Sequence, residues 1–321
     1  MSDSKTRFGI VMDPIADITP AKDSTLAMML EIQRRGHEIR VMQQGDMYVE
    51  NGVARARTTG MRVADDANDW FTPADTTDEP LADLDVILMR KDPPFDMEFI
   101  YTTYILEVAE RAGSLVVNRP AALRDLNEKA STAWFPALAP ETLISRDRDL
   151  IKRFLTKHEH IVVKPLDGMG GKSIFTLRKG DQNTNVVLET LTDYGQQFAM
   201  AQTFIPEITD GDKRILLVNG VPVEHMLARV PNAEDGRGNL AMGATADARP
   251  LGDAERKIAE AVGPLLRDRG VIFAGLDIIG DKLTEINVTS PTGIREIDKH
   301  FSINIAGLLM DAIEQMLAKR S

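Results

Sequence analysis

The fold is decided by the stretch Leu276-Asp277-Ile278-Ile279-Gly280-Asp281-Lys282-Leu283-Thr284-Glu285-Ile286-Asn287. It predicts two apolar strands joined by a turn at Gly280-Asp281. Buried strands are usually apolar throughout, whereas Asp277, Glu285 and Asn287 interrupt these two. Because Glu285 and Asn287 are two residues apart, a strand points both side chains to the same face.

The hairpin predicts a site for a hard cation, provided that its register is right. A turn made of Gly280-Asp281 alone would pair Asp277 with Thr284, and the carboxylate would face away from Glu285. A loop with an odd number of residues, such as 280–282, pairs Asp277 with Glu285 and groups the oxygen ligands. Such a set is typical of Mg²⁺ held on a nucleotide. The alternative is an edge hairpin with solvated carboxylates.

Composition places the chain among globular proteins with more than one domain. It has 321 residues, 43% of them hydrophobic and 27% charged. No apolar run approaches the roughly 18 residues that cross a membrane, and the first seven residues lack the apolar core of a signal peptide. The absence of cysteine excludes disulfides, thiolate catalysis and cysteine-ligated zinc. We therefore expect a cytoplasmic protein that has no membrane partner.

The charge balance narrows the range of partners. The formal net charge is −11, which argues against nucleic acid because phosphate backbones attract basic surfaces. A small anionic ligand stays compatible with this charge, since local lysines and arginines can form a positive pocket in an acidic protein.

Alternating strands and helices predict a parallel sheet over the first part of the chain. Apolar strands are expected at 8–12, 37–42, 86–89 and 115–117, with helices between them. Residues 51–80 are polar and rich in turn formers, so we expect an irregular excursion there. After about residue 118 the pattern becomes a mixed α+β one. We expect domains over 1–127, 128–205 and 206–321.

A glycine-rich loop follows an apolar strand that ends at Lys164. It contains Asp167, Gly168, Met169, Gly170 and Gly171. Glycines let backbone amides approach a phosphate closely, and the lysine supplies a counter-charge. The spacing fits neither a Walker A loop nor a Rossmann fingerprint. A glycine turn beside a surface lysine is the alternative.

Two further segments lie between these signals. One segment leads into a proline and contains Gln202, Thr203, Phe204 and Ile205. It predicts either a hinge whose backbone groups bind the edge of an adenine ring, or an ordinary strand of the hydrophobic core. Arg214 opens an apolar strand, and a charge there is harder to explain by packing alone.

Two loops carry small polar residues. The long segment 229–244 includes Gly236, Arg237, Gly238 and Asn239; it predicts either a lid over a reactive intermediate or a disordered loop without function. The second loop is the run Ser290, Pro291, Thr292 and Gly293, which follows the hairpin of Asp277 and Glu285. Its hydroxyl and amide groups can bind a carboxylate or phosphate group of a ligand. It can also cap a helix.

Taken in order, these signals resemble the pattern of ATP-grasp ligases, which hold ATP between two α+β halves. The matching positions are Lys129, Lys164, the glycine loop, Arg214, Asp277 and 285–287. Four longer motifs, at 8–15, 86–96, 164–171 and 283–292, are similar to those of bacterial glutathione synthetases. The likeness extends from residue 7 to about 315. It implies an N-terminal parallel-sheet α/β domain on the substrate side, followed by a two-part ATP-grasp module with a central lid subdomain and a C-terminal catalytic subdomain.

The resemblance implies the activity and the nucleotide site. The family joins γ-glutamylcysteine to glycine through an acyl phosphate, with ADP and phosphate as products. Lys129 and Lys164 would contact ATP phosphates beneath the loop of Asp167, Gly168, Met169, Gly170 and Gly171. Gln202, Thr203, Phe204 and Ile205 would line the adenine pocket, and Asp212 would hold the ribose hydroxyls.

The resemblance also implies the metal, the catalytic groups and the assembly. Mg²⁺, with Mn²⁺ as a substitute, would bind Asp277, Glu285 and Asn287. Arg214 and Arg229 would be catalytic; Arg90, Ser290, Pro291, Thr292 and Gly293 would bind substrate; and Gly236, Arg237, Gly238 and Asn239 would form the lid. The family implies a homotetramer.

Two rival functions remain at this point. Another ATP-grasp ligase, such as a peptide or D-alanine ligase, would use a different carboxylate and amine, but the likeness also covers the N-terminal part. A non-catalytic nucleotide binder would be expected to lack Arg214, Glu285 or Asn287, and all three are present.

Overall fold

The structure, a computed structural model, describes residues 5–168, 173–231 and 245–320. These residues form three sheets with helices packed on them. The predicted mixed α/β and α+β class is confirmed.

The first sheet contains the predicted parallel core. Its strands are β1 (Arg7–Val11), β2 (Glu38–Met42), β3 (Met47–Glu50), β4 (Val53–Val63), β5 (Phe71–Pro80), β6 (Val86–Met89) and β7 (Leu115–Val117). The order is β3-β4-β2-β1-β6-β7, with β5 paired to β4, and the β2-β1-β6-β7 pairs are parallel. The helices α1 (Ser24–Arg34) and α2 (Met97–Arg111) connect these strands, as the apolar spacing predicts.

The prediction of an irregular excursion at 51–80 is wrong. The segment forms β4 and β5, a long antiparallel pair. Residues 72–78 of β5 are exposed, so this edge strand carries polar side chains. The buried Arg40 of β2 donates to Thr58 Oγ1 of β4 at 3.0 Å and to Asp75 Oδ2 of β5 at 3.0 Å. A strand whose inward polar groups are paired in this way does not need an apolar face.

The second sheet is antiparallel, in the order β10-β9-β11-β8. Its elements, which follow the short helix α3 (Pro120–Asp125), are β8 (Thr142–Ser145), α4 (Arg148–His158), β9 (His160–Pro165), β10 (Phe175–Arg178), α5 (Thr184–Thr192) and β11 (Ala199–Thr203). Ile161 and Val163 of β9 belong to the apolar cluster shared with α4 and α5. Because side chains alternate along a strand, Lys164 points to the opposite face.

The third sheet carries the acidic hairpin. Its elements are β12 (Asp212–Val218), β13 (Val221–Val230), β14 (Thr245–Pro250), α6 (Asp253–Asp268), β15 (Phe273–Ile279), β16 (Lys282–Asn287), α7 (Ile294–Phe301) and α8 (Ile305–Ala318). The order is β14-β13-β12-β15-β16, and the turn predicted at Asn219-Gly220 joins β12 to β13. No single helix in the described ranges has the length and apolarity to span a membrane, although the bent pair α7–α8 reaches them jointly.

One buried side chain ties the first sheet to the third. Asn118, directly after β7, donates from Nδ2 to Phe273 O and to Val288 O, both at 2.7 Å. Its Oδ1 accepts from Ile272 N at 2.8 Å and Phe273 N at 2.9 Å. The hairpin β15–β16 is therefore fixed against the N-terminal sheet at its base. The domain limits 1–127, 128–205 and 206–321 stay predictions.

We expect Asn118→Ala to destabilise the protein by about 2–4 kcal/mol, because several buried peptide groups lose their partners together. The measurement is the free energy of unfolding in urea. The exposed Asn68→Ala serves as the control and should change that energy by less than about 0.5 kcal/mol. A loss below about 1 kcal/mol in Asn118→Ala would contradict the role of this contact.

Candidate active site

Strand register places one set of polar side chains on a single face of the third sheet. Arg214 of β12 pairs with Asp277 of β15, which in turn pairs with Glu285 of β16. On the other side, Asp212 pairs with Arg229. Cross-strand partners share a face, as do residues two apart. Each of these side chains therefore faces away from the apolar core beneath the sheet.

Asp277 pairs with Glu285, as the predicted cation site requires, but the turn does not have the odd number of residues that was expected to produce this pairing. The turn has two residues, with Ile279 paired to Lys282. The register shifts between Asp277 and Ile278, so that Thr284 is an extra residue, and its Oγ1 donates to Asp277 O at 3.0 Å. This β-bulge lets Leu283 pack in the core while Glu285 faces the site.

Asp277 lies at the centre of the set and is only 3% exposed. Arg214 donates to both of its carboxylate oxygens, at 2.8 Å for Nη2. Arg229 Nη2 lies 2.9 Å from Oδ2, and Asn287 Nδ2 donates to the same oxygen at 3.3 Å. Burial raises the pKa of Asp277, but the charges of Arg214 and Arg229 outweigh it and hold the pKa below its usual range. Asp277 is therefore ionised and orients both guanidinium groups.

Asp212 is the second carboxylate of the cluster. Its Oδ2 accepts from Arg229 Nη2 at 2.5 Å, whereas its buried Oδ1 has no hydrogen-bond partner among the described residues. Burial raises the pKa of Asp212 to about 7; Arg229 opposes the shift, and the charges of Asp277 and Glu285 add to it. A buried acceptor without a donor fits a hydroxyl brought by a ligand.

Glu285 faces two buried lysines from other elements. Lys129 Nζ lies 3.5 Å and Lys164 Nζ 3.7 Å from Glu285 Oε1. Lys129 also donates to Gly168 O at 2.6 Å. Burial lowers the pKa of Lys164; burial also opposes the charge on Lys129, but Glu285 and Glu128 keep that pKa raised. The two cations are thus held at the edge of the glycine loop by a carboxylate that a polyanion can replace.

Sequence reasoning missed Glu128. Its Oε1 contacts Lys129 Nζ, and its backbone oxygen accepts from Ile286 N at 2.8 Å. Burial raises the pKa of Glu128, and the charge of Glu285 adds to the shift. The only signal in the sequence was its place next to Lys129. It links the segment after α3 to the hairpin β15–β16.

The structure brings Arg90 together with the loop at 290–293. Arg90 Nη2 donates to Pro291 O at 3.1 Å, and Ser290 Oγ donates to Arg90 O at 3.2 Å. Arg214 Nη1 lies 3.5 Å from Thr292 O. Gly293 has a φ of 117°, and α7 begins directly after it. This loop therefore connects the N-terminal sheet to the arginine cluster.

The proposed adenine segment lies at the end of β11. Gln202 is paired with Val162, on the same face as Lys164, and its Nε2 donates to Thr142 Oγ1 at 3.1 Å. Thr203 N donates to Glu141 O at 3.1 Å, and the Phe204 ring stacks on His160 at 3.9 Å between centroids. Ile205 leads into a short turn.

The donor set fits a divalent cation completed from outside the protein. In the described part of the chain, no three His, Asp or Glu side chains are grouped to hold one metal ion. Asp277, Glu285 and Asn287 supply two carboxylates and an amide on one sheet face. Mg²⁺ is usually held in this way, by one or two carboxylates together with phosphate oxygens and water.

Some predicted site residues lie outside the described ranges. These are Met169, Gly170 and Gly171 of the glycine loop and Gly236, Arg237, Gly238 and Asn239 of the lid. Asp167 is exposed and Gly168 half-buried at the edge of the site. The assigned roles of the site residues stay predictions.

Comparisons with known proteins cover almost the whole chain. Residues 6–124 match the family model described as prokaryotic glutathione synthetase, N-terminal domain, and residues 128–302 match that of its ATP-grasp domain. The chain is 56% identical over 314 residues to the glutathione synthetase of Escherichia coli (strain K12), covering 98% of this chain and 99% of that protein. It is also 56% identical over 315 residues to the Yersinia pestis glutathione synthetase, with the same coverage.

Solved structures agree on the fold. A D-cycloserine synthetase covers 97% of this chain and 99% of its own, with a TM-score of 0.68 at 14% identity. D-alanyl-alanine synthetase A from Vibrio cholerae covers 99% of this chain and 100% of its own, with a TM-score of 0.61 at 12% identity. These likenesses confirm an ATP-grasp fold.

The raised pKa of Asp212 predicts a pH dependence of stability. An acid whose pKa is higher in the folded state binds more protons folded than unfolded, so stability falls as pH rises from about 4 towards 7. Asp212→Asn should remove this loss. Relative to the wild type, the variant should gain on the order of 1 kcal/mol or more between pH 5 and pH 8.

The measurement is urea unfolding of the ligand-free protein at both pH values. Asp281→Asn, at the exposed hairpin turn, is the control and should show no such gain. An Asp212→Asn difference from wild type that is equal at pH 5 and pH 8 would contradict the role of this carboxyl.

Proposed function

The chain belongs to the prokaryotic glutathione synthetase family, and from that premise we propose that it ligates γ-glutamylcysteine to glycine while ATP is converted to ADP and phosphate. Enzymes of this fold and family use ATP and a divalent metal ion. The observation that carries the proposal is the buried cluster of Asp277, Arg214 and Arg229 beside two lysines held by Glu285. This arrangement suits the transfer of a phosphoryl group to a carboxylate.

Lys129 and Lys164 bind the phosphates of ATP in this proposal. In the ligand-free protein both lysines face Glu285, which orients them towards the site. An arriving phosphate offers more negative charge than one carboxylate, and it takes over the ammonium groups. Asp167 and Gly168, with the rest of the glycine loop, cover the phosphates.

Mg²⁺, for which Mn²⁺ can substitute, would be held by Asp277, Glu285 and Asn287. The metal would supply charge neutralisation between the phosphates. Release of Glu285 from the two lysines frees its oxygens for this role. The position of the hairpin does not change in the exchange, since its register and the contacts of Asn118 fix it.

Arg214 and Arg229 stabilise the transferring phosphoryl group. Asp277 binds Arg214 through Nε and Nη2, and Nη1 donates one of its two hydrogens to Thr292 O at 3.5 Å, so its second hydrogen can bond to a substrate oxygen. The cysteinyl carboxylate of the dipeptide attacks the γ-phosphorus and ADP departs, which leaves an acyl phosphate. The amine of glycine then attacks the acyl carbon, and phosphate leaves with the electrons of the broken C–O bond.

The remaining contacts position the nucleotide and the substrates. Gln202, Thr203, Phe204 and Ile205 line the adenine pocket, and the unpartnered Oδ1 of Asp212 supports a bond to a ribose hydroxyl. Arg90 and the loop Ser290, Pro291, Thr292 and Gly293 hold substrate carboxylates. The contact from Arg90 to Pro291 O supports this shared role.

We further propose a cytoplasmic homotetramer. The resemblance to the family suggests this assembly, and exposed apolar side chains are available for contacts between copies. Met97, Tyr101 and Tyr104 form a stripe along α2, each more than half exposed. Light scattering of the purified protein tests the assembly, and a monomer at assay concentration would contradict it.

The experiment that tests the activity measures ADP and tripeptide together. Purified protein receives Mg·ATP and γ-glutamylcysteine, with and without glycine. We expect equimolar ADP and tripeptide only when glycine is present. No turnover despite ATP binding would favour an ATP-grasp ligase for another substrate pair, or a non-catalytic nucleotide binder.

We expect Glu285→Gln to lower kcat/KM for Mg·ATP by about 100-fold or more, because a charged ligand beside the phosphates is lost. The variant should stay folded by circular dichroism, since the side chain keeps its shape. Glu207→Gln, at an exposed residue next to Gly280 in the turn of the hairpin β15–β16, should retain wild-type kinetics. Near-normal turnover in Glu285→Gln would contradict the metal assignment.

A further inference from the structure

The two buried lysines of the site differ in the number of carboxylates that contact them. Lys129 Nζ contacts Glu128 Oε1 and lies 3.5 Å from Glu285 Oε1. Among the carboxylates of the described residues, only Glu285 forms an ion pair with Lys164, at 3.7 Å. The mechanism above moves Glu285 to the metal ion and gives Glu128 no role. On that mechanism Lys129 keeps a carboxylate partner after the nucleotide has bound, whereas Lys164 does not.

Hydrogen bonds fix the backbone around Glu128 to two other parts of the site. Glu128 O accepts from Ile286 N of β16 at 2.8 Å. Asn127 Oδ1 accepts from Lys129 N at 3.1 Å, and Asn127 Nδ2 donates to Leu166 O at 3.0 Å, next to the glycine loop. None of these bonds uses a group that a phosphate would bind. The carboxylate of Glu128 therefore stays within reach of Lys129 when a ligand enters.

Three acceptors surround Lys129 Nζ, which has three hydrogens to donate. Glu128 Oε1 and Gly168 O accept hydrogen bonds from it, the second at 2.6 Å, and Glu285 Oε1 lies at 3.5 Å. A phosphate oxygen must take the place of one of these acceptors, and Glu285 is the one that the metal ion withdraws. The phosphate then shares the ammonium group of Lys129 with Glu128.

We propose that Glu128 is a positioning residue that limits how tightly Lys129 binds the nucleotide, so that ADP can leave after the reaction; the inference rests on the proposed function. Two anions that share one ammonium group repel each other. In a partly buried site, a unit charge within a few ångströms of a phosphate changes its affinity by about 10-fold or more. Glu128 thus orients Lys129 and at the same time weakens its bond to phosphate.

We expect Glu128→Gln to bind Mg·ADP about 10-fold more tightly than the wild type, because the neutral amide does not repel phosphate. The amide oxygen can still accept from Lys129, so the lysine stays oriented. The KM for ATP should fall as well. Glu128→Asp keeps the charge and should restore the wild-type Kd for Mg·ADP. A purely structural role predicts the opposite sign, since a misplaced Lys129 would bind the nucleotide more weakly.

Isothermal titration calorimetry with Mg·ADP at pH 8 measures the Kd of each protein. Asp125→Asn is the matched control, because it removes the same charge from an exposed position close by in the chain. Its Kd should equal that of the wild type. If circular dichroism shows that Glu128→Gln is not folded, Glu128→Ala carries the same prediction, since Gly168 O still accepts from Lys129.

Mg·ADP binding by Glu128→Gln that is equal to or weaker than that of the wild type overturns the inference. An equal gain in Glu128→Asp or in Asp125→Asn also overturns it. A wild-type protein that binds no Mg·ADP would instead contradict the proposed function. The two failures are therefore distinguishable.

Discussion

The site depends on one buried anion. Asp277 is 3% exposed, and a carboxylate in that position is stable only if it is paired and hydrogen-bonded. Arg214 and Arg229 supply the pairing from two neighbouring strands, and each is held in one orientation as a result. A buried pair of this kind contributes little net stability, but it fixes the direction of the guanidinium groups before any substrate arrives. Preorganised donors of that sort are what phosphoryl transfer needs from a protein.

Two lysines on the other side of the site are also oriented by a carboxylate. Lys129 and Lys164 come from different elements of the chain, yet both face Glu285 Oε1. A buried ammonium without a counter-charge would lose its proton or reorient. Glu285 therefore holds both lysines in place in the ligand-free protein. In the proposed mechanism the same carboxylate binds a metal ion once phosphates have taken over the lysines.

Sequence patterns predicted the parallel core and the helices α1 and α2, because these depend on apolar periodicity, whereas the predicted partner of Asp277 depended on the length of the hairpin loop. The bulge at Thr284 could not be predicted, since the same residues fit a loop of odd length equally well. The strands β4 and β5 were missed because β5 is a mostly exposed, polar edge strand and because the inward Thr58 of β4 bonds to the buried Arg40. Asn118 and Glu128 belong to no recognisable sequence pattern, because their roles come from contacts with residues far along the chain.

The central claim is that this cluster transfers the γ-phosphoryl group to the dipeptide carboxylate. Oxygen-18 in the cysteinyl carboxylate of γ-glutamylcysteine tests it directly, with the products examined by mass spectrometry after turnover with unlabelled ATP, Mg²⁺ and glycine. The account predicts one labelled oxygen in each phosphate released and one retained in the new peptide bond. Unlabelled phosphate released together with tripeptide would contradict an acyl phosphate and, with it, the role assigned to the arginine cluster.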